Sequence, residues 1–291
     1  MSLVSAPDLL AIVLYLRALQ HGTLPATNGS LVHGAFFSIL REFAPTWADR
    51  LHCPEIPERP FTISSLRGGE KNDEEIPPLS PNSYPPLIHI NHGAEYWLRI
   101  SSLQQDLTSE LLSLFSGDAA QIKLGQVDFR IIGLSIQHHD RAGTASYDNL
   151  AASCLGEAIE PLSLLGLRFL SATTFRSQGR NRLFPLPSLI FPQLLRRWNL
   201  FCPPAFRLDQ LKADIFDKNL MVSGYHLMTR HLRFGLHGQQ LGFTGYCEYQ
   251  AARHADIDVL QVTNLLWRFC FFSGIGYGTP KGMGQVATIV P

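Results

Sequence analysis

Near the carboxy terminus the run Gly274-Ile275-Gly276-Tyr277-Gly278-Thr279-Pro280-Lys281-Gly282-Met283-Gly284 holds five glycines and one lysine. Glycine adopts positive φ at little steric cost and lets a ligand come close to the main chain. Successive main-chain N–H groups form nests that hold anions. The chemistry is that of a phosphate contact, through Gly274, Gly276, Gly278, Lys281, Gly282 and Gly284. A mononucleotide loop would need Gly-Lys-Ser/Thr opening a helix, whereas Lys281 stands between Pro280 and Gly282. A dinucleotide fingerprint would need a helix after the glycines, and only Gln285 to Pro291 follow Gly284. A loop closing onto a last strand suits the backbone of a polyanion better.

The arginines point the same way. No acidic residue lies between Glu160 and Asp209, while Arg168, Arg176, Arg180, Arg182, Arg196, Arg197 and Arg207 all do. Guanidinium forks match phosphate geometry and stack on bases. A polyanion surface is expected at Arg176, Arg180, Arg182, Arg196 and Arg197, although the formal net charge is zero. Acidic residues gather instead at Glu70–Glu75.

Other chemistries find less support. His138-His139 and the pair His89 and His92 have no cysteine or carboxylate that completes a zinc set. No metal and no cofactor is expected. Cys53 adjoins His52, but neighbours in an extended stretch face opposite ways. Five scattered cysteines without a Cys-x-x-Cys pair fit reduced thiols in a cytoplasmic protein. No apolar run reaches the roughly 18 residues of a membrane span, and no signal peptide is evident.

The elements that must position these residues follow from periodicity. Leu9–Leu19 is expected as a strand. After a turn, Asn28 or Ser30 caps a helix whose Leu31, Phe36, Phe37, Ile39, Leu40 and Phe43 recur at helical spacing until Pro45. Trp47–His52 is a further helical turn. Phe61–Leu66 is a strand and Gly68–Pro86 a long polar loop. Tyr96–Ile100 is a strand, Leu103–Phe115 a helix, and Ile122–Ile136 one or two strands. This order is that of a ferredoxin-like unit. Asp140–Glu160 is small and polar and is expected as a linker. The second half offers a strand Leu162–Ser171, a helix Leu186–Trp198, a glycine-bearing strand region Leu232–Tyr249, a helix Val259–Phe272 and a strand Val286–Val290. Arg180 and Arg182 fall in a loop, and Trp198 and Trp267 in the core. The fold class is therefore α+β. It comprises two tandem ferredoxin-like (RRM-like) domains, residues 1–145 and 155–291, with a C-terminal glycine-rich loop.

The chain resembles the CRISPR-associated endoribonucleases that cut repeat RNA into guide RNAs, the sixth Cas family of the RAMP superfamily. Four features carry the resemblance: Gly274, Gly276, Gly282 and Gly284 before a last strand; Leu51-His52 with Phe61-Thr62-Ile63-Ser64; the helix end Leu194–Asn199, similar to cyanobacterial members; and Phe234-Gly235 with Gly242-Phe243-Thr244-Gly245. The resemblance implies metal-independent cleavage of CRISPR repeat RNA and retention of the guide crRNA, with a Cascade-like effector complex as a further partner. It also implies His52 as the acid/base.

Such cleavage uses the 2′-hydroxyl as nucleophile and leaves a 2′,3′-cyclic phosphate and a 5′-hydroxyl. Histidine suits the proton transfers. A cation must hold the phosphorane charge; Arg59 is the first candidate and Arg17 the second. His33, on the first helix, is the rival base. Some members of the family carry a tyrosine where this chain has Phe37, so a Tyr–His–Lys set is not carried over intact. The alternative expectation is a catalytically weak or inactive crRNA-binding subunit. Substitution of Gly282 or Gly284 by valine is expected to weaken RNA binding and leave the fold largely intact.

Overall fold

Residues 6–53, 58–68, 86–118, 120–177, 179–234 and 238–290 are described by the computed structural model. Most of the expected polar loop, with Glu70–Glu75, lies outside the described residues, as does Gly235. The chain divides into two compact units. One comprises Met1–Thr144 with His231–Gln240 and Pro280–Gly282. The other comprises Ala145–Arg230 with Leu241–Thr279 and Met283–Pro291.

The first unit runs β1 (Leu9–Ala18), β2 (Gly22–Pro25), α1 (Gly29–Phe43), α2 (Pro45–His52), β3 (Phe61–Ile63), β4 (Arg67–Gly68), β5 (Leu87–Ile90), β6 (Glu95–Ser102), α3 (Gln105–Ser113), β7 (Gln121–Leu124), β8 (Val127–Ser135) and β9 (Gly143–Ala145). Its main sheet has the order β3-β6-β1-β8-β7 with antiparallel neighbours. With α1 and α3 as the connecting helices, β1, β3, β6 and β8 form a ferredoxin-like unit. Strand alternation turns Leu10, Ile12, Leu14 and Leu16 of β1 into the core, where they share one cluster with Val32, Phe36 and Leu40 of α1 and Leu107 and Leu111 of α3. Burying a side chain of this size contributes about 1.5–3 kcal/mol. Helix α1 stops at Phe43, and Pro45 opens α2 in the first turn, where its missing N–H costs nothing. Asn28 does not cap α1 with its side chain as expected. Its Oδ1 instead accepts the Leu66 amide at 2.7 Å, anchoring the segment after β3.

The second unit runs α4 (Tyr147–Ala152), β10 (Leu164–Thr173), β11 (Phe175–Ser177), β12 (Arg180–Arg182), α5 (Pro187–Phe201), α6 (Ala213–Asn219), β13 (Leu220–Phe234), β14 (Gly238–Ala251), α7 (Ile257–Ser273) and β15 (Val286–Ile289). Its sheet order is β13-β14-β10-β15. Numbered by position in the β-α-β-β-α-β unit, both sheets read second, third, first, fourth, so both units are ferredoxin-like. Trp198 and Trp267 are core residues, and their indole N–H groups donate to the carbonyls of Phe206 and Gly166, each at 2.8 Å.

Two expectations change. Asp140–Glu160 is not a bare linker, because it carries α4. Tyr147 of α4 is 1% exposed and meets the Trp198 ring edge-on at 4.9 Å. One large aromatic in a small-residue stretch is enough to dock it. The strand region expected from Leu232 begins at Leu220, since β13 leaves Met221 and Tyr225 exposed and so lacks a clean buried face to read. Among the described residues no helix is long and apolar enough to cross a membrane.

Candidate functional site

In the first unit the site grows from helix α1. His33 lies one turn before Phe37, so both side chains share a face. The His33 ring stands 4.8 Å from the Phe37 ring and 6.2 Å from that of Phe61 on β3. The Phe37 ring in turn meets His52 edge-on at 5.5 Å. His52 is the exposed last residue of α2, held there by Leu51, which is 1% exposed in the core. The two imidazoles therefore flank one phenyl ring.

The segment Pro280–Gly282 completes this group. A Cβ at Gly29, the first residue of α1, would run into the Lys281 carbonyl, and one at Gly282 would come within 2.8 Å of the Gly29 Cα. Here glycine serves close backbone approach. The contact brings the Pro280 carbonyl to 2.8 Å from His33 Nδ1. A carbonyl only accepts, so Nδ1 carries the hydrogen and Nε2 keeps its lone pair. Burial is the main cause that lowers the His33 pKa below its ordinary value of 6.5. The bond to Pro280 raises it, and the positive charges of Lys281, His52 and Arg59 lower it again. Half-buried Arg59 and exposed Lys281 thus act electrostatically on one imidazole. Arg17 sits elsewhere on the sheet and holds Glu95 at 2.6 Å, an exposed pair contributing about 0–1 kcal/mol.

In the second unit the glycine loop differs from expectation. Gly274, Gly276, Gly278 and Gly284 do adopt positive φ, at 63°, 85°, 79° and 66°, and Gly282 of the first unit has 87°. The amides, however, are largely engaged within the fold. Gly274 donates to Cys270, Ile275 to Gly284, Tyr277 to Thr174, Met283 to Gly278 and Gly284 to Ala172. The Gly276 amide donates to Gln193 Oε1 at 2.9 Å. The glycines shape the turn rather than leave it bare.

What the loop does present is Tyr277, 43% exposed, with the Arg176 guanidinium stacked 3.7 Å above its ring. Arg176 belongs to the ribbon β11–β12, which pairs it with Asn181 and places Arg180 and Arg182 on the opposite strand. These two arginines, expected in a loop, thus lie on a strand. All three arginines are exposed, and none makes an ion pair among the described residues. Arg196 is exposed on α5. Arg197, expected on the same surface, is 1% exposed and donates to the Ser273 carbonyl at the end of α7. A cation there complements the helix dipole and satisfies an otherwise open carbonyl. Nothing in the spacing Arg196-Arg197 tells the two apart except the helical phase, which puts Arg197 with Leu194 on the buried face. Among the described residues no group of three or more His, Cys, Asp or Glu side chains converges as a metal site.

Two ferredoxin-like units, a histidine pair beside cationic side chains and an arginine ribbon define the class of an RNA-acting protein. The CRISPR Cas6 N-terminal domain model matches residues 11–151, and the CRISPR-associated endoribonuclease Cas6 model matches residues 167–286. The chain belongs to the Cas6 family of CRISPR-associated endoribonucleases. Among solved structures it is similar to the product complex of the Thermus thermophilus Cas6 TTHB231, with 24% identity over 97% of this chain and 100% of that one and a TM-score of 0.73. It is also similar to the product complex of the Cas6 TTHA0078, with 28% identity over 97% and 99% of the chains and a TM-score of 0.69. No curated protein sequence matches the chain.

Proposed function

We propose that this protein cleaves CRISPR repeat RNA without a metal ion, using His33 and His52 as a base and acid pair. The observation that carries the reading is the fixed imidazole of His33. Its Nδ1 hydrogen is held by Pro280, and its ring is kept neutral by burial and neighbouring charge. Nε2 of His33 takes the proton of the 2′-hydroxyl, and the O2′–P bond forms. The P–O5′ bond breaks as His52, across the Phe37 ring, protonates the leaving oxygen. Arg59 and Lys281 hold the charge of the phosphorane; Arg17, opposite Glu95, lies at the other end of β6 from Ser102, which pairs with Phe61. The products are a 2′,3′-cyclic phosphate and a 5′-hydroxyl. The same cations, with the arginine ribbon, keep the product bound. Solved relatives described as product and substrate-mimic complexes support the substrate class.

The test is cleavage of labelled repeat RNA in EDTA. The unaltered chain is expected to cut, and His52→Ala to cut about 10²–10⁴-fold more slowly, the range for loss of one positioned proton transfer. Cleavage unchanged in His52→Ala removes that residue from the mechanism. No cleavage by the unaltered chain favours a crRNA-binding subunit.

The ribbon makes a separate expectation. Replacing Arg176, Arg180 and Arg182 together by alanine is expected to lower the slope of log affinity against log salt by about 0.7 for each lost phosphate contact on single-stranded RNA. An unchanged slope, measured from about 50 to 300 mM salt across the range where counterion release acts, assigns the ribbon no phosphate.

A further inference from the structure

The face of the first sheet turned away from α1 and α3 carries aromatic side chains on its two central strands. Tyr15 on β1 and Trp97 on β6 are direct cross-strand partners. Arg67 on β4 is opposite Trp97 on the other side, and Gly133 on β8 is opposite Tyr15. The row therefore reads Arg67, Trp97, Tyr15, Gly133 across four strands. Gly133 is exposed and offers no side chain to cover its neighbour; a Cβ there would lie 3.9 Å from Tyr15 Cδ2. His139, beyond the end of β8, meets Trp97 edge-on at 4.9 Å and lies 6.2 Å from Tyr15. Tyr15, Trp97 and His139 are all partly exposed. Along β1 this face opens from Ala11 and Val13, both fully buried, through Tyr15 to exposed Arg17.

A core does not need this arrangement, because the cluster lies on the face that leads out to solvent. A stable aromatic group on a sheet with a partly open face is costly to leave bare unless something flat covers it. Charge selects the occupant. Exposed Arg17 and Arg130 lie one register ahead of the row, whereas Arg99, one register behind, is buried and donates to the Arg141 carbonyl. Glu95 and Asp128 are the strand carboxylates of that face; Glu95 is paired with Arg17, and Asp140, beside the platform, is held between His139 and Arg141. Flat aromatic groups on two central strands, bordered by guanidinium groups, match unpaired bases joined by phosphates.

We propose that Tyr15 and Trp97, with His139 beside them, form a platform on which unpaired bases of the RNA stack. This rests on the RNA-processing reading and adds to it a place for single-stranded nucleotides away from His33 and His52. The platform binds by ring faces and so tolerates sequence, leaving the cut to be defined elsewhere.

The test measures binding of the full chain to an unstructured twelve-nucleotide RNA, alongside cleavage of the repeat. Trp97→Leu and Tyr15→Leu are each expected to weaken binding about tenfold to a hundredfold, the effect of losing one base stack. Trp97→Phe is expected to keep most of the affinity. Emission supplies a readout that does not depend on the leucine variants folding. The chain has four tryptophans, of which Trp198 and Trp267 are buried. Half-buried Trp47 lies on α2 with His52, so RNA should quench the unaltered protein through both Trp47 and Trp97, and Trp97→Phe should lose the Trp97 share of that quenching. The platform is overturned if the leucine variants, with unaltered melting temperature, bind within twofold. It is equally overturned if quenching is undiminished in Trp97→Phe. Loss of self-association in Trp97→Leu with RNA affinity intact overturns it in favour of a protein interface. Repeat cleavage that continues normally in any of these cases leaves the processing reading standing; absence of all RNA binding by the unaltered chain sinks both.

Discussion

Replacing His33 by alanine is expected to reduce cleavage about 10²–10⁴-fold while RNA affinity stays within about threefold, since a positioned base acts mainly on the chemical step. The pH profile makes the role specific. Burial and three nearby cations hold the His33 pKa below 6.5, so the imidazole is a free base at neutrality. The acid limb of kcat/KM should therefore fall below pH 6.5. The same shift has a sign for stability. A histidine whose folded pKa is lowered binds its proton more readily when unfolded, so its effect on stability is neutral above 6.5. Stability declines as the pH drops from there through the folded value. Flattening of both slopes in His33→Gln, which has no titrating side chain, would assign them to this ring. A wild-type rate in His33→Ala, or an acid limb that stays in place without the imidazole, would exclude it as the base.

The second large effect is on the fold. Gly284→Val is expected to destabilise the protein by about 3–5 kcal/mol, because a branched side chain is forced into positive φ and against a backbone oxygen. At Gly284 φ is 66°, and a Cβ would run into the Ile275 carbonyl, with Thr279 Cγ2 at 3.0 Å. Gly284 also exchanges hydrogen bonds that hold the turn, donating to Ala172 and accepting from Ile275. The expected outcome is a melting temperature lower by about 6–15 °C, the scale for such a loss in a chain of this size. This reverses the expectation that valine at this position would disturb only RNA. If Gly284→Val melts within about 2 °C of the unaltered protein and still loses RNA, the turn is a phosphate cradle after all.

The sequence made both ferredoxin-like units legible, because apolar spacing in β1, α1, α5 and α7 is strong and the order of elements is distinctive. It placed Leu51 and His52, whose alternation of buried and exposed is carried by a short helix. The glycines were legible as a turn, but not as a turn whose amides are occupied. Their partners, Ala172, Thr174, Cys270 and Gln193, are set by tertiary packing. Arg197 shows the same limit: two adjacent arginines look alike until a helix turns one inward. His33 was visible as a histidine on an apolar helix. Its tautomer is fixed by a carbonyl 247 positions away, which no local pattern records. The stretch that carries α4 was read as a connection because a single aromatic, Tyr147, does the docking.

The pairing of His33 with Pro280 has a consequence for biosynthesis. A ribosome releases residue 280 long after the helix bearing residue 33, so the nascent polypeptide emerges with an imidazole that has no assigned tautomer. Only once residue 280 has emerged and packed against α1 does the proton settle on one nitrogen. A chain ending before Pro280 would accordingly lack the fixed tautomer on which the proposed base depends.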